Sequence, residues 1–435
     1  RDVTGVQTCA LPISKLILML LLLGNLMSQT FVEGNVSGVW ELQGNPYLLT
    51  ADCVVGFGDT LIIQDGVRID LDSLFEFRVQ GVLFATGALF QNGGSVRGDN
   101  GQLNIDNCAF IGLDEGIKII SGSARFHGCR IDGTAETGIS FSNVDSSFIR
   151  YSNISNSGDY GIKILQSDDV EVYNCHLLGN SVNDFNHPAL FIDSCSPQVI
   201  ENNLIKDNHG QGVGVWTLTS IAAPVIRGNF IQGNFTGITV VNSPAYILDN
   251  VIVSNYQEGN FNSGAGIFAG YGSSVGIVMG NYIGGNYYGV SVINGASPNL
   301  GDMVNDFPGD DGLNLFDDNT FDGQTWHIWN GTSSPIMAQN NYWLGMDLSD
   351  VDATLYDNEE GGGEIFFEPI YAAPLPEPPD INDDESVNIL DVVVLIEGIV
   401  GVGLPDPVTF YLSDINHDFD INVSDVTSLI DIVVQ

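Results

Sequence analysis

Two stretches near the C-terminus carry the most specific chemistry in the chain. Asp380-Ile-Asn382-Asp-Asp384-Glu-Ser386-Val-Asn388-Ile-Leu-Asp391 places side-chain oxygens at loop positions 1, 3, 5 and 12. Asp414-Ile-Asn416-His-Asp418-Phe-Asp420-Ile-Asn422-Val-Ser-Asp425 repeats the spacing 34 residues later. Apolar stretches follow, Val392–Val400 and Val426–Val434. Oxygen donors at these positions, ahead of a helix, are what a 12-residue loop uses to fold around Ca²⁺. An acidic loop that holds no ion would have no need of the duplicate spacing, so two Ca²⁺ ions are expected.

The segment ahead of the loops is a repeat. Asn229-Phe-Ile-Gln-Gly-Asn-Phe-Thr-Gly237-Ile-Thr-Val240 is one unit, and related units run from about Asn107 to Trp343. Gly116, Gly138 and Gly161 are 22 and 23 residues apart, and Gly214–Gly237 and Gly266–Gly289 are each 23 apart. A period of this size marks a solenoid. Within each unit the pattern is apolar, free, apolar, which is the period of a strand. Short strands bounded by Gly and Asn suit a parallel β-helix, in which stacking supplies the core that one coil cannot. The expected inward column is Ile117, Ile139, Ile162, Ile238, Ile267 and Val290. Residues 36–87 read as opening coils that also cover one end. The coils are expected to end at Asn340-Asn-Tyr-Trp343, with Asp347–Asp357 and Glu364–Pro369 as a closing segment. Asn107, Asn153, Asn174, Asn203, Asn229, Asn250 and Asn281 recur at one turn and are expected to stack as a ladder. Ser181–Pro188, Tyr256–Gly264 and Gly301–Asp318 read as inserted loops.

With 435 residues the chain has room for two or three domains. The formal net charge is −42, and no Lys or Arg follows Arg227. That balance argues against nucleic acid and anionic membrane surfaces as partners and favours divalent cations. Residues 3–13 look like a translated sequencing-adapter primer. Lys15, the apolar run Leu16–Leu23 and Ser28 then resemble a secretory leader, too short to span a membrane. The division expected is 1–30 adapter-like and leader sequence, 31–371 solenoid, 372–379 a semi-rigid Pro-rich linker, and 380–435 the tandem loops. A secreted or extracellular location follows from the leader, with attachment to a cell surface open. Beyond Cys9, the five cysteines Cys53, Cys108, Cys129, Cys175 and Cys195 are odd in number and read as small inward residues rather than a disulfide framework.

Residues 380–435 resemble a type I dockerin, whose loops end in Asp as Asp391 and Asp425 do. The resemblance implies one Ca²⁺ held by Asp380, Asn382, Asp384, Asp391 and the Ser386 carbonyl, and another by Asp414, Asn416, Asp418, Asp425 and the Asp420 carbonyl. It also implies a cohesin-like partner or cell-surface scaffold, chosen in part by Ile389-Leu390 and Val423-Ser424. The chain departs from the pattern at position 6, where Gly is usual and Glu385 and Phe419 stand. Residues 36–371 resemble secreted right-handed parallel β-helix proteins of the pectin-lyase-like class. The fold class expected is thus mainly β, a parallel β-helix followed by a small α-helical module.

That β-helix class hosts lyases, hydrolases, epimerases, adhesins and stalks. A lyase needs an exposed Lys or Arg near carboxylates, and Lys118 and Lys163 read instead as solvated outward residues. Asp168-Asp169 reads as a turn pair, too far from His209-Gly210 for a galacturonan hydrolase. Asp310, Asp311, Asp317 and Asp318 fall in the longest insertion. No catalytic residue is assigned, and no lyase activity on pectate or alginate is expected. The outward column Lys118, Ser140, Lys163, Phe191, then Gly214 or Trp216, Thr239, Phe268 and Ser291 makes Phe191, Trp216 and Phe268 candidates for stacking on sugar rings. The function expected is a polysaccharide-binding protein docked through its Ca²⁺-dependent tail, against the alternatives of a polysaccharide lyase or glycoside hydrolase and of an adhesin or stalk.

Overall fold

A computed structural model describes residues 29–434 except 196–198, 217–222, 261–262, 273–275, 372–374, 376–377, 402 and 404. The adapter-like and leader sequence, and part of the Pro-rich linker, lie outside the described residues. The chain winds into a parallel solenoid of about 13 turns. Each regular coil contributes three strands, so three parallel sheets run along the axis. Sheet I holds the Gly-apolar-x-apolar strands, such as Ile162–Leu165 and Ile238–Val241. Sheet II follows it, with strands such as Asp168–Tyr173, and sheet III closes the coil with strands such as His176–Leu178 and Phe230–Gln232.

Alternation decides which side chains face the core. In sheet I the pairing Ile117↔Ile139↔Ile162↔Leu190↔Val213↔Ile238↔Ile267↔Val290↔Ile328↔Leu355 is one continuous inward column. All of these residues are buried, so the expected column is present and extends further. Sheet III stacks Phe90 on Phe110 with ring centroids 4.7 Å apart. A strand at Thr30–Asn35 precedes the opening coils read at 36–87, and the coils run past Trp343. Leu355–Tyr356 still pairs with Ile328–Trp329, and Ile365–Phe366 with Ile336–Met337. The sequence hides these late coils because they lack the glycine that marks the others.

Two ladders satisfy the corners flanking sheet III. Asn203, Asn229, Asn250, Asn281 and Asn314 each pass a side-chain N–H to the next amide oxygen, at 2.9 to 3.0 Å, and the series ends on Asn341. Asn180, Asn208, Asn234, Asn255, Asn286 and Asn319 do the same at the other corner. Asn107, Asn153 and Asn174 are not rungs. Asn107 and Asn174 sit at a neighbouring turn with φ of +52° and +51°, and Asn153 begins a strand. Where the first ladder would continue toward the N-terminus stand Cys175, Ser152 and Cys129, small residues facing inward as expected of the cysteines. The described cysteines are buried.

The second ladder ends on His327, whose Nδ1 lies 3.1 Å from the Asn319 amide nitrogen, so the ring is neutral and accepts there. Burial pushes its pKa down to about 3. A depressed folded value means the neutral ring's contribution is complete above the unfolded value of about 6.5 and is lost as pH falls toward about 3. The loss reaches roughly 5 kcal/mol. Denaturant titrations of wild type and His327→Gln at about pH 7 and about pH 4 check this, with a larger acid-induced drop expected in wild type.

Candidate functional site

The outward column of sheet I follows directly from register: Arg78↔Arg97↔Lys118↔Ser140↔Lys163↔Phe191↔Gly214↔Thr239↔Phe268↔Ser291↔Trp329↔Tyr356. Gly214 is the column residue, and Trp216 stands one outward position further along its strand, paired with Asp193. The column is basic toward the N-terminus and aromatic toward the C-terminus.

Of the three aromatic residues picked out in the sequence, Phe191 is covered. It is 5% exposed. Tyr160 stacks on it at 5.3 Å and Trp216 meets it edge-on at 5.1 Å. Pro188, from the inserted loop, lies over Gly214, where a β-carbon would come within 2.3 Å of it. Phe191 therefore supports the surface and offers no face to a ligand. Trp216 is 38% exposed. Phe268 is half-buried, its ring lying over Gly270, where a β-carbon would approach it to 2.9 Å.

The sequence reading missed the stronger half of the strip. Trp329 lies beside Gly331, and its ring stacks on Tyr356 with centroids 3.8 Å apart and planes 5° apart. Trp326 and Tyr288 meet Trp329 edge-on at 5.2 and 5.6 Å. Phe321 and Tyr287 extend the group to Tyr256, which stacks on Tyr287 at 4.7 Å. Trp329 escaped notice because its strand opens on His327 instead of Gly. The insertions 181–188 and 256–264 leave from the corner between sheets III and I, as does the hairpin Thr320–Phe321/Gln324–Thr325. They supply Phe185, Tyr256 and Phe321 to the same edge.

The two outward lysines differ. Lys118 is solvated and paired, with Glu115 at 2.8 Å and Glu136 at 3.7 Å. Lys163 is not a plain solvated residue: its Nζ sits 4.3 Å above the Tyr160 ring and 5.9 Å from that of Phe191. Tyr160 stacks on His187 at 4.3 Å. Burial, then the charges of Asp159, Asp184 and Asp193, raise the Tyr160 pKa. Two carboxylates of the longest insertion are engaged by neighbouring side chains. Asp310 is held by Asn299 and Asn305, and Asp317 accepts from the Tyr282 hydroxyl at 2.5 Å.

The C-terminal loops are copies of one another. In the first, Asp380 accepts from the N–H groups of Asp384 and Glu385, and Asp391 accepts from those of Ile381, Asn382 and Asn388. In the second, Asp414 accepts from Asp418 and Phe419, and Asp425 from Ile415, Asn416 and Asn422. Position 4 and position 6 take positive φ in both, at 53° and 66° for Asp383 and Glu385 and at 56° and 63° for His417 and Phe419. Asp391, Asp414 and Asp425 are buried with no cation beside them among the described ion pairs. Burial, with Asp425 and Asp418 adding to it, raises the Asp414 pKa. Among the described residues no three His, Cys, Asp or Glu side chains close to metal-binding distance; the loop carboxylates are turned onto backbone N–H groups. Helices Ile389–Val400 and Val423–Val433 follow the loops and pack on each other through Val392, Leu395 and Leu429. Ile389, Leu390, Val423 and Ser424 are exposed at their first turns.

The helical module does not hang free of the solenoid. Leu204↔Phe230↔Val251↔Tyr282↔Leu315↔Tyr342 is an outward column of sheet III that is apolar, where earlier coils carry Arg130, Asn153 and His176. Phe410, on the connecting helix Pro407–Ser413, packs on it at 5.6 Å from Phe230 and 4.9 Å from Tyr282. Gln232 donates to the Phe419 carbonyl at 2.7 Å, and Lys206 meets Asp420 at 3.3 Å. Phe419 rests against Gly284 and Gly285, where β-carbons would come within 2.9 and 2.7 Å of its ring. Its place at position 6 is thus explained by docking, while Glu385 at the equivalent place is exposed.

A family model described as "Right handed beta helix region" matches residues 92–255, and that stretch is a right-handed β-helix. No curated protein matches the chain. Solved structures it resembles include a mutant of a periplasmic alginate epimerase, 13% identical with a TM-score of 0.46, covering 75% of this chain and 76% of that one. A pectate lyase is 13% identical with a TM-score of 0.34, covering 83% of this chain and 82% of that one. An alginate lyase from Paenibacillus sp. is 12% identical with a TM-score of 0.27, covering 73% of this chain and 94% of that one. At such scores they carry nothing over to the chemistry of this chain.

If Phe419 locks the module onto the solenoid, Phe419→Ala should cost about 2 kcal/mol, below the range for a fully buried ring. Gly285→Ala should also destabilise, since the three atoms nearest its new methyl all belong to Phe419. Thermal or urea unfolding of the double mutant should show the Gly285→Ala penalty reduced in the Phe419→Ala background.

Proposed function

We propose that the chain is an extracellular glycan-binding β-helix, its sheet I and adjoining corner forming the binding face, with a calcium-binding, dockerin-like pair of loops at its C-terminus. The observation that carries the first part is the ordered aromatic strip. Phe268, Trp329 and Tyr356 share one outward column, and the Phe268 and Trp329 rings lie beside glycines that leave room for them. Coils repeat about every 4.8 Å, so Phe268 and Trp329, two coils apart, are separated by about 10 Å along the axis. Flat aromatic faces at such intervals suit the apolar faces of successive sugar rings. The wider aromatic group around Trp329 fixes the rings in advance and lowers the entropic cost of binding. No helix among the described residues is long and apolar enough to cross a membrane.

The loops fit Ca²⁺ by donor chemistry. Asp380, Asn382, Asp384, Asp391 and the Ser386 carbonyl would hold one ion, and Asp414, Asn416, Asp418, Asp425 and the Asp420 carbonyl the other. The ions would neutralise buried carboxylates that have no ion-pair partner among the described residues, so binding energy would add to folding energy. In this reading the second loop faces the solenoid. Ile389, Leu390, Val423 and Ser424 remain outward for a cohesin-like partner or a cell-surface scaffold.

One observation favours a second reading, a polysaccharide lyase or glycoside hydrolase. Lys163, boxed by Tyr160 and Phe191 with His187 adjacent, places titratable groups on the binding face. Release of unsaturated or new reducing ends from uronate polymers, abolished in Lys163→Ala, would establish it against the expectation of no lyase activity.

Two measurements test the primary reading. Affinity electrophoresis of the full chain through gels containing plant-cell-wall or algal polysaccharides should show retardation that Trp329→Ala reduces about tenfold. Retardation unchanged in Trp329→Ala and in Phe268→Ala would remove the strip as the binding face. Calorimetric titration with Ca²⁺ should show two sites, one weakened by Asp380→Ala and the other by Asp414→Ala, with Glu385→Gly tightening the first. An absence of Ca²⁺-dependent heat would end the dockerin-like assignment.

A further inference from the structure

The turn between sheets II and III repeats one backbone conformation. Its left-handed residue is Gly87, Asn107, Gly128, Tyr151, Asn174, Asn202, Gly228, Asp249 and Gly280 in nine successive coils, with φ between +51° and +68°. Each N–H from Gly87 to Asp249 donates to the carbonyl of the sheet II strand end in the next coil, so the positions are equivalent. Gly, Asn and Asp tolerate this conformation, whereas a bulky side chain there is an outlier. Tyr151 is the exception in the column. Strain of this kind persists where something else requires it, and it clusters at sites that hold ligands.

The ring of Tyr151 does not repay the strain by burial, because the residue is 52% exposed. It stands between His127 and Tyr173, edge-on to both at 5.4 and 5.9 Å. Beside it is a cavity of about 300 Å³ lined by Arg150, Tyr151, Glu171, Tyr173, Val199 and Glu201. The charges there are balanced. Arg150 pairs with Glu171, and Glu201 with Arg227 at 2.7 Å. Arg150 is further held over the Phe148 ring at 4.5 Å, with its Nε free of any hydrogen-bond partner.

We infer that this groove is a second carbohydrate site, on a different face from the sheet I strip, that takes a neutral sugar. Tyr151 and Tyr173 line it with aromatic rings, which supply apolar surface for a sugar ring to rest on. The Glu171 and Glu201 carboxylates accept from hydroxyl groups and Arg150 donates to them, as charge-assisted bonds. A polyanion is disfavoured, since both arginines are already neutralised in a chain of net charge −42. The site stands on its own observations and does not depend on the strip.

The test uses the full chain and Tyr151→Asn, the residue that neighbouring coils place at this turn. Binding of neutral gluco-, galacto- and manno-oligosaccharides, with oligouronates as contrast, is followed by calorimetry alongside thermal unfolding. The expected result is binding of a neutral oligosaccharide that Tyr151→Asn weakens about tenfold. The thermal midpoint of Tyr151→Asn is equal to or above wild type. Glu201→Gln, which keeps the shape of the groove, should weaken the same binding. Failure of all neutral oligosaccharides to bind, affinity unchanged in Tyr151→Asn, or a lower thermal midpoint in that variant overturns the inference, the last because it would make the ring a structural one.

Discussion

Everything in this molecule depends on the register between one coil and the next. Parallel strands exchange backbone hydrogen bonds only with the coils above and below, so each inward side chain must match its neighbours along the axis. Apolar residues do this by stacking, as in the column from Ile117 to Leu355. The corners cannot, because chain reversal leaves backbone groups facing inward. The asparagine ladders answer those groups, each amide bonding both the next rung and a backbone carbonyl, as Asn229 does with Asn250 and with Ile200. A buried amide left without such a partner costs about 1–3 kcal/mol, so each rung fixes the next.

The same register turns outward positions into columns, and three of them depart from a plain solvated surface. On sheet I the column changes from Arg78, Arg97 and Lys118 to Phe268, Trp329 and Tyr356. On sheet III it changes from Arg130 and His176 to Phe230, Tyr282 and Leu315, and there the C-terminal module is seated. At the turn between sheets II and III one tyrosine replaces the Gly, Asn or Asp of every other coil. The last coils therefore work on two sides at once, carrying aromatic rings on sheet I and the helical module on sheet III. In a chain with no Lys or Arg after Arg227, Lys206 is a cation that reaches the module, through Asp420.

The period, the inward column of sheet I, the outward column from Lys118 to Ser291 and the inward cysteines were all legible, because strand alternation and a fixed repeat are local properties of the sequence. So were the two loops, whose left-handed positions at 385 and 419 fall where a glycine was missed. Other features depended on neighbours that the sequence does not name. Phe191 has the right position for a ligand contact, yet an inserted loop and Trp216 cover it. Asn107 and Asn174 resemble ladder residues by type, but they serve the left-handed turn one place away. Phe419 looked like a flaw in a loop and is a contact with Gly284 and Gly285, more than a hundred residues earlier. The apolar outward residues of sheet III were visible in Asn229-Phe-Ile-Gln and Asn281-Tyr-Ile-Gly, where a solvated strand would carry polar residues, and they were the available signal for the docked module.

Calcium binding by the loops, as proposed, would be coupled to the solenoid through sheet III. Hydrogen exchange of the full chain, compared in chelator and in Ca²⁺, tests it most directly, since exchange resolves stability by segment. Ca²⁺ should slow exchange in 380–391 and 414–425 and also in the sheet III strands from Phe230 to Asp317, while the coils from Gly87 to Ser155 stay unchanged. Protection confined to the two loops would contradict the coupling, and no protection anywhere would contradict the calcium sites themselves.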